Sequence, residues 1–218
     1  MSFDERARIE KMKVVTKAVS NCSGDYFLTG NSAMFFCYGS EIPCKTLEYL
    51  GYGTDGVTPV NMNTSLEKRL SGWLSAVGVA LLIKKRNEGS ALYSVFDGGI
   101  KVCDIKITFM NMVNPEVGSV VHQGGYLTVS GSPLYRKLLD SWTKNKNVVT
   151  LYNMYVLMTR WSYTINTPYF GETYKKLRKY GYHNIYNLLR LKGTEYLDEN
   201  QIGSLLTWCK TVLSDTGA

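Results

Sequence analysis

The chain of 218 residues has little that would place it in a membrane. Its longest nearly apolar run, Leu74 to Ile83, falls well short of the roughly 20 residues a span needs. The first residues, MSFDERARIEKMK, are charged and lack the apolar stretch of a secretory signal, so a soluble, cytoplasmic protein without a membrane partner is expected. Histidine is scarce, at two residues, His122 and His183. The five cysteines, Cys22, Cys37, Cys44, Cys103 and Cys209, contain no Cys-x-x-Cys pair, and neither histidine is beside one of them. Zinc ribbons and fingers are therefore excluded as local structures, and the cysteines read as reduced, mostly buried thiols. Gly-x-Ser-x-Gly is absent, and Gly51-Tyr52-Gly53 lacks the strand-loop-helix frame, with Lys and Ser or Thr, of a phosphate-binding loop. No period between about 20 and 50 residues repeats, which argues against a solenoid.

What is present is ordinary globular composition, 44% hydrophobic and 20% charged, enough for one full core or two small ones. The net charge of +7 is unevenly placed. Between Arg136 and Lys192 eleven Lys or Arg face two acids, Asp140 and Glu172, a surplus of nine that leaves −2 for the remainder. A slightly acidic N-terminal part and a basic C-terminal part point to two functional surfaces, the second suited to a polyanion.

Helical spacing of Ile9, Met12, Val15, Ala18 and Val19 predicts an amphipathic helix over residues 4–20, broken at Asn21 to Gly24. A short strand, Tyr26 to Thr29, leads into Gly30-Asn31-Ser32, and Ser32 is expected to cap a short helix stopped by Gly39. Alternation in Lys45 to Leu50 predicts a half-buried strand, followed by the glycine-rich turn 51–56. A helix is expected from a cap at Thr64 or Ser65 to about Ser75, then a strand from Val79 to Ile83. Ala91 to Phe96 and Ile100 to Met110 form a hairpin across Asp97-Gly98-Gly99, with Asp104 and Lys106 on one face and Cys103, Ile105 and Ile107 on the other. After a loop near 124–133 the texture is helical: Leu134, Leu138, Leu139 and Trp142 form one stripe, Val148 to Tyr163 continues it, and helices over 172–180, 183–192 and Asp198 to Leu213 follow. The expected domains are 1–128 and 129–218.

The order strand, Leu28-Thr29-Gly30-Asn31-Ser32-Ala33-Met34, short helix, then a strand carrying acids has a chemical rationale. Glycine and a small hydroxyl residue at the turn let backbone N–H groups approach a nucleotide phosphate. Acids spaced by two on neighbouring strands point to one face, where they would hold Mg²⁺ against a triphosphate. On Gly30, Ser32, Ala33 and Met34, on Cys44-Lys45-Thr46-Leu47-Glu48-Tyr49, and on Lys101-Val102-Cys103-Asp104-Ile105, the chain resembles the abortive-infection (AbiEii-like) nucleotidyltransferases of toxin–antitoxin systems. The stretch from Gly125 to Leu138 is similar to the strand and helix that open that family's C-terminal part. The resemblance implies Glu48 and Asp104 as catalytic metal ligands, with Thr46 standing in place of the first aspartate. It also implies Gly30, Asn31 and Ser32 at the phosphates of a nucleoside triphosphate. A second reading of Asp104 stays open, an acid on a solvated face paired with the flanking lysines Lys101 and Lys106. Asp55 could supply the missing acid, or be a turn residue.

Ten of the sixteen tyrosines lie between 135 and 196, interleaved with the basic residues. In the run from Tyr169 to Tyr182, Lys175, Lys176, Arg178 and Lys179 are candidates for phosphate contacts, and Tyr180 and Tyr182 for stacking on unpaired bases. Sequence-tolerant stacking suits RNA better than duplex DNA. The expected architecture is thus α+β, a small mixed-sheet nucleotidyltransferase-like domain followed by a helical one. Three functions stay open: transfer of a nucleotide to RNA with Mg²⁺, a catalytically inactive module of the same fold that binds nucleic acid or a protein partner, or a purely structural or assembly protein; the first two differ at one residue. Thr46 separates them, because a hydroxyl cannot replace a carboxylate's charge at a divalent ion.

Overall fold

Period-two patterning in the first part of the chain produces a single mixed sheet. Its strands are β1 (Tyr26–Leu28), β2 (Thr46–Tyr52), β3 (Val79–Asn87), β4 (Ser90–Asp97), β5 (Ile100–Met110), β6 (Val120–Gln123) and β7 (Tyr126–Val129), in the spatial order β3-β4-β5-β2-β1-β7-β6. β2 runs parallel to β5 and β1 parallel to β7; the other neighbours are antiparallel. The computed structural model describes residues 3–22, 26–52, 59–87, 89–110 and 120–214. The architecture is α+β. The chain divides into two units, the first comprising Met1–Cys37 and Pro43–Val129, the second Tyr38–Ile42 and Ser130–Ala218.

In the first unit α1 (Phe3–Cys22), α2 (Gly30–Phe36) and α3 (Pro59–Ala76) accompany the sheet. α1 begins with Asp4 and Glu5, the sign its N-terminal dipole favours. Its apolar stripe, Ile9, Met12, Val15 and Val19, is buried, and the helix contacts β1, β5, β7 and α3. Leu47 and Tyr49 of β2, Tyr93 of β4, and Ile105 and Ile107 of β5 complete this core at 0–1% exposure. Truncating any of its aliphatic members to Ala is expected to cost about 2–5 kcal/mol. The β4–β5 hairpin closes through Gly98 (φ +54°) and Gly99 (φ +83°), with Asp97 opposite Ile100. Positive φ at both central residues is the requirement of a type I′ turn, which the Gly-Gly pair meets without strain.

Three expectations change. α3 starts at Pro59, not at Thr64 or Ser65, since a proline at a helix's first position lacks only an N–H that would be unsatisfied there. Ser32 lies inside α2 instead of capping it; the N-cap position is Thr29. The loop expected near 124–133 contains β7, whose Leu28–Thr128 pairing beside β1 is supported by Thr128 Oγ1 donating to the Leu28 carbonyl at 3.0 Å. A four-residue strand is too short to display alternation. The expected turn residue Asp55 lies outside the described residues.

The second unit holds α4 (Gly131–Lys144), α5 (Val148–Arg160), α6 (Pro168–Tyr180), α7 (Tyr182–Lys192) and α8 (Glu199–Ser214). The α4 stripe of Leu134, Leu138, Leu139 and Trp142 is buried. Segment 38–42 is tied to α5 and its C-terminal cap: Trp161 Nε1 donates to the Tyr38 carbonyl (3.0 Å), Arg160 to that of Gly39 (3.1 Å), and Ser40 Oγ to Asn153 Oδ1 (2.7 Å). α8 opens with a capping box, Asp198 Oδ1 accepting the Gln201 N–H at 2.8 Å and Gln201 Oε1 the Asp198 N–H at 2.9 Å. Among the described residues no helix is long and apolar enough to cross a membrane.

Cys37, Cys44, Cys103 and Cys209 are free and buried. Burial pushes each thiol up to about 12, so at neutral pH they are neither nucleophiles nor thiolate ligands.

Candidate functional site

The turn between β1 and α2 is built around two short-range commitments. Ser32 is fully buried; its Oγ accepts the Glu48 N–H at 2.9 Å and lies 2.8 and 3.0 Å from the carbonyl oxygens of Thr29 and Glu48, the acceptors open to its proton. The Thr29 N–H donates to the Glu48 carbonyl at 2.9 Å. The serine hydroxyl thus joins the strand end to β2. The second commitment belongs to Glu48, whose Oε2 accepts the Asn31 N–H at 2.9 Å. Gly30 makes this possible: its φ is +58°, and a Cβ there would overlap Glu48 Oε2 and fall 2.8 Å from Cδ. Of the three residues expected at a nucleotide's phosphates, Gly30 and Ser32 are buried, and the exposed Asn31 already gives its N–H to a carboxylate of the chain itself.

The parallel pairing of β2 and β5 sets Thr46 beside Asp104 and Glu48 beside Lys106. Strand alternation puts all four on one face, opposite Leu47, Tyr49, Ile105 and Ile107. Glu48 and Asp104 are therefore diagonal neighbours on the same face, but their carboxylates have separate partners. Glu48 turns to α2. Asp104 accepts from Ser94 Oγ at 2.6 Å and pairs with Lys101 Nζ at 2.7 Å and Lys84 Nζ at 3.3 Å. Burial raises its pKa, and the hydrogen bonds from Lys101, Ser94 and Lys84 outweigh that effect and hold the carboxyl below the ordinary aspartate value.

Two irregularities of the sheet deliver these lysines. The β3–β4 register slips between Ile83 and Lys85, leaving Lys84 as an extra residue, and the β4–β5 register passes from Cys103 to Lys101, leaving Val102 extra. Bulges of this kind re-aim side chains. The pairing of Asp104 with Lys101 was legible from the sequence; that with Lys106 is replaced by Lys84, which is twenty positions away and carries no local signal. Ser94 likewise had none. Among the described residues, no three His, Cys, Asp or Glu side chains converge as a metal-binding group.

No family model matches the chain, and no curated protein matches it in sequence. Solved structures do match in shape. JHP933 from Helicobacter pylori superimposes with a TM-score of 0.69 at 14% identity, covering 98% of this chain and 93% of that one. A second H. pylori protein, described as a proposed nucleotidyltransferase, gives 0.70 at 13% identity, covering 98% and 96%. The fold is nucleotidyltransferase-like.

In the second unit, Lys175, Arg178 and Lys179 are exposed along α6 at spacings of three and four, so they share one helical face. Lys176 is half-buried and pairs with Glu172 at 2.8 Å. Tyr180, expected as an open stacking ring, is half-buried and sits edge-on against Trp142, with ring centroids 5.4 Å apart. Tyr182 is exposed, as is Tyr186 one turn further along α7. Lys146 stands over the Trp142 ring and donates to the Thr143 carbonyl at 2.7 Å. Burial, together with the charges of Lys176 and Lys179, lowers its pKa, placing all three in one cationic region.

Proposed function

We propose that this chain is a nucleotidyltransferase-fold protein that binds RNA and performs no metal-dependent nucleotide transfer. The observation that carries this reading is the state of Asp104. A carboxylate that is to hold Mg²⁺ needs free oxygens and a negative surround, and this one has a serine and two lysines on it, beside a threonine in place of a second acid. Unit charges of like sign 4 Å apart repel by about 4 kcal/mol near a protein surface, and a divalent ion doubles that for each ammonium it faces. The donor set does not fit Mg²⁺. Glu48 alone does not restore the fit, because its Oε2 serves the Asn31 amide and its carboxylate has turned to α2, away from Asp104's partners.

The RNA arm rests on the α6 face of Lys175, Arg178 and Lys179 with the exposed rings of Tyr182 and Tyr186, cations for phosphates beside surfaces for bases. The test incubates the chain with each labelled nucleoside triphosphate, Mg²⁺ and total RNA, and titrates it separately with single-stranded RNA at about 50 mM salt, where electrostatic contacts are strongest. RNA binding without transfer of label to RNA or protein is the expected result. Label transfer that requires Mg²⁺ overturns the first half of the reading, and absence of RNA binding overturns the second.

A further inference from the structure

Resting on that reading, we infer that the sheet face of Asp104 is a phosphate site that works without a divalent ion, the ammonium groups of Lys84, Lys101 and Lys106 supplying the positive charge. Lys84 and Lys101 reach the face through the two bulges and meet at one carboxylate. Lys106 follows Asp104 by two residues on the same regular stretch of β5 and so shares its face. Its register neighbour Glu48 has turned its carboxylate to Asn31, and Lys106 is exposed with no ion pair among the described residues. Three ammonium groups thus share the face with two carboxylates, Asp104 and Glu48, a surplus of one positive charge.

The neighbouring cleft does not cancel this surplus. That cavity, of about 570 Å³, is lined on the α1 side by Asp4, Glu5 and Arg8 and on the sheet side by Lys45, Lys101 and Asp104, with acids and bases in equal number. Lys84 and Lys106 lie outside it, so the unbalanced charge is on the open face. The hydroxyl of Thr46, beside Asp104, adds a neutral donor. Several ammonium groups and a hydroxyl, each able to donate to a separate oxygen, match a chain of phosphates better than a single carboxylate. Such a chain is found at the 5′ end of a free nucleotide, and singly spaced phosphates along RNA offer the same chemistry.

The test is isothermal titration of the full chain with inorganic tripolyphosphate in EDTA, repeated with ATP and with a 5′-hydroxyl oligouridylate, and each again with excess Mg²⁺. Tripolyphosphate is expected to bind in EDTA, with Mg²⁺ giving no gain. Lys84→Ala with Lys101→Ala should weaken binding about tenfold or more, the scale of losing charge-assisted hydrogen bonds. Because that pair leaves Asp104 bare and could unsettle the sheet, Lys106→Ala is the companion variant: it breaks no ion pair or side-chain hydrogen bond among the described residues and should still weaken binding several-fold. ATP binding without oligouridylate binding at these lysines assigns the site to a free nucleotide, and the reverse to RNA. The inference is overturned by no binding in EDTA, by binding that requires Mg²⁺, or by affinity indifferent to Lys106→Ala. An α6 variant lacking Lys175, Arg178 and Lys179 should retain tripolyphosphate binding, so failure here is distinct from failure of the RNA reading.

Discussion

Gly30→Ala tests the site's geometry through stability. At φ +58° any L-residue pays for the left-handed conformation, about 1–2 kcal/mol. The new methyl would also occupy the position of Glu48 Oε2, so the carboxylate must leave the Asn31 amide. A hydrogen bond to a charged group contributes about 1.5–3 kcal/mol, and the exposure of Asn31 places this one at the lower end. The full cost of Gly30→Ala is therefore about 3 kcal/mol. If the second part comes from Glu48, then in a Glu48→Ala background Gly30→Ala should cost only the conformational part, giving a coupling of about 1.5 kcal/mol in a double-mutant cycle. Because the chain has two units, a whole-chain melt mixes their transitions, and the proper assay is hydrogen exchange of β1 and β2 amides, which reads opening of the first unit. Costs that add to within about 0.5 kcal/mol would show that Gly30 and Glu48 do not oppose each other and would refute the reasoning.

Asp104→Asn should lower the stability of the first unit near neutral pH, since Lys84 and Lys101 lose the anion between them. The lowered pKa of Asp104 sets the sign: its contribution is full above the ordinary value of 3.8 and is lost as pH falls through the lower folded value. The gap between wild type and variant should close as pH drops below that value; a gap constant with pH contradicts the assignment. Replacing Lys175, Arg178 and Lys179 with Ala should flatten the slope of log affinity for single-stranded RNA against log salt by about 2 units, and an unchanged slope removes them from the interface. Tyr182→Ala should weaken the same binding by about 1–3 kcal/mol at nearly constant slope, because stacking releases no counterions. Tyr135→Phe deletes a buried hydrogen bond to Thr173 Oγ1 (2.6 Å) and should cost the second unit about 1 kcal/mol by α6 hydrogen exchange, with RNA affinity unaltered.

The parts of the fold legible in the sequence are those with long, regular patterns. The α1 stripe, the β4–β5 alternation with its Gly-Gly turn, the α4 leucines and the Asp198 cap all follow from local spacing. Short elements carry no pattern of their own: a strand in the stretch of β7 comes only from the family resemblance, and its place beside β1 depends on a pairing a hundred positions away. The site divides along the same line. That Glu48 and Asp104 share a face follows from parity once β2 and β5 are neighbours, and the glycine turn follows from composition. Neither the Glu48 carboxylate on the Asn31 amide nor Lys84 on Asp104 could be read, since both depend on tertiary placement.

The deciding feature of the site is a register shift more than a residue type. In a regular β5, Lys101 and Cys103 would point away from Asp104, and Lys101 would stand on the covered face of the sheet. The extra residue Val102 reverses this: Val102 and Cys103 are both buried, and Lys101, paired with Phe96, comes out on the face of Asp104. A comparison confined to acids at matching positions sees Asp104 and predicts a metal ligand. The backbone around it sets a cation 2.7 Å from that acid, a pairing that the flanking position of Lys101 suggests but that only the bulge, and not regular alternation, permits. On the proposed reading, this face owes its character jointly to Thr46, neutral where the resemblance implied an acid, and to the bulge, which adds a cation. Under that reading the two features act in the same direction, against a divalent cation and toward an anion, and they arise on different strands through different physical means.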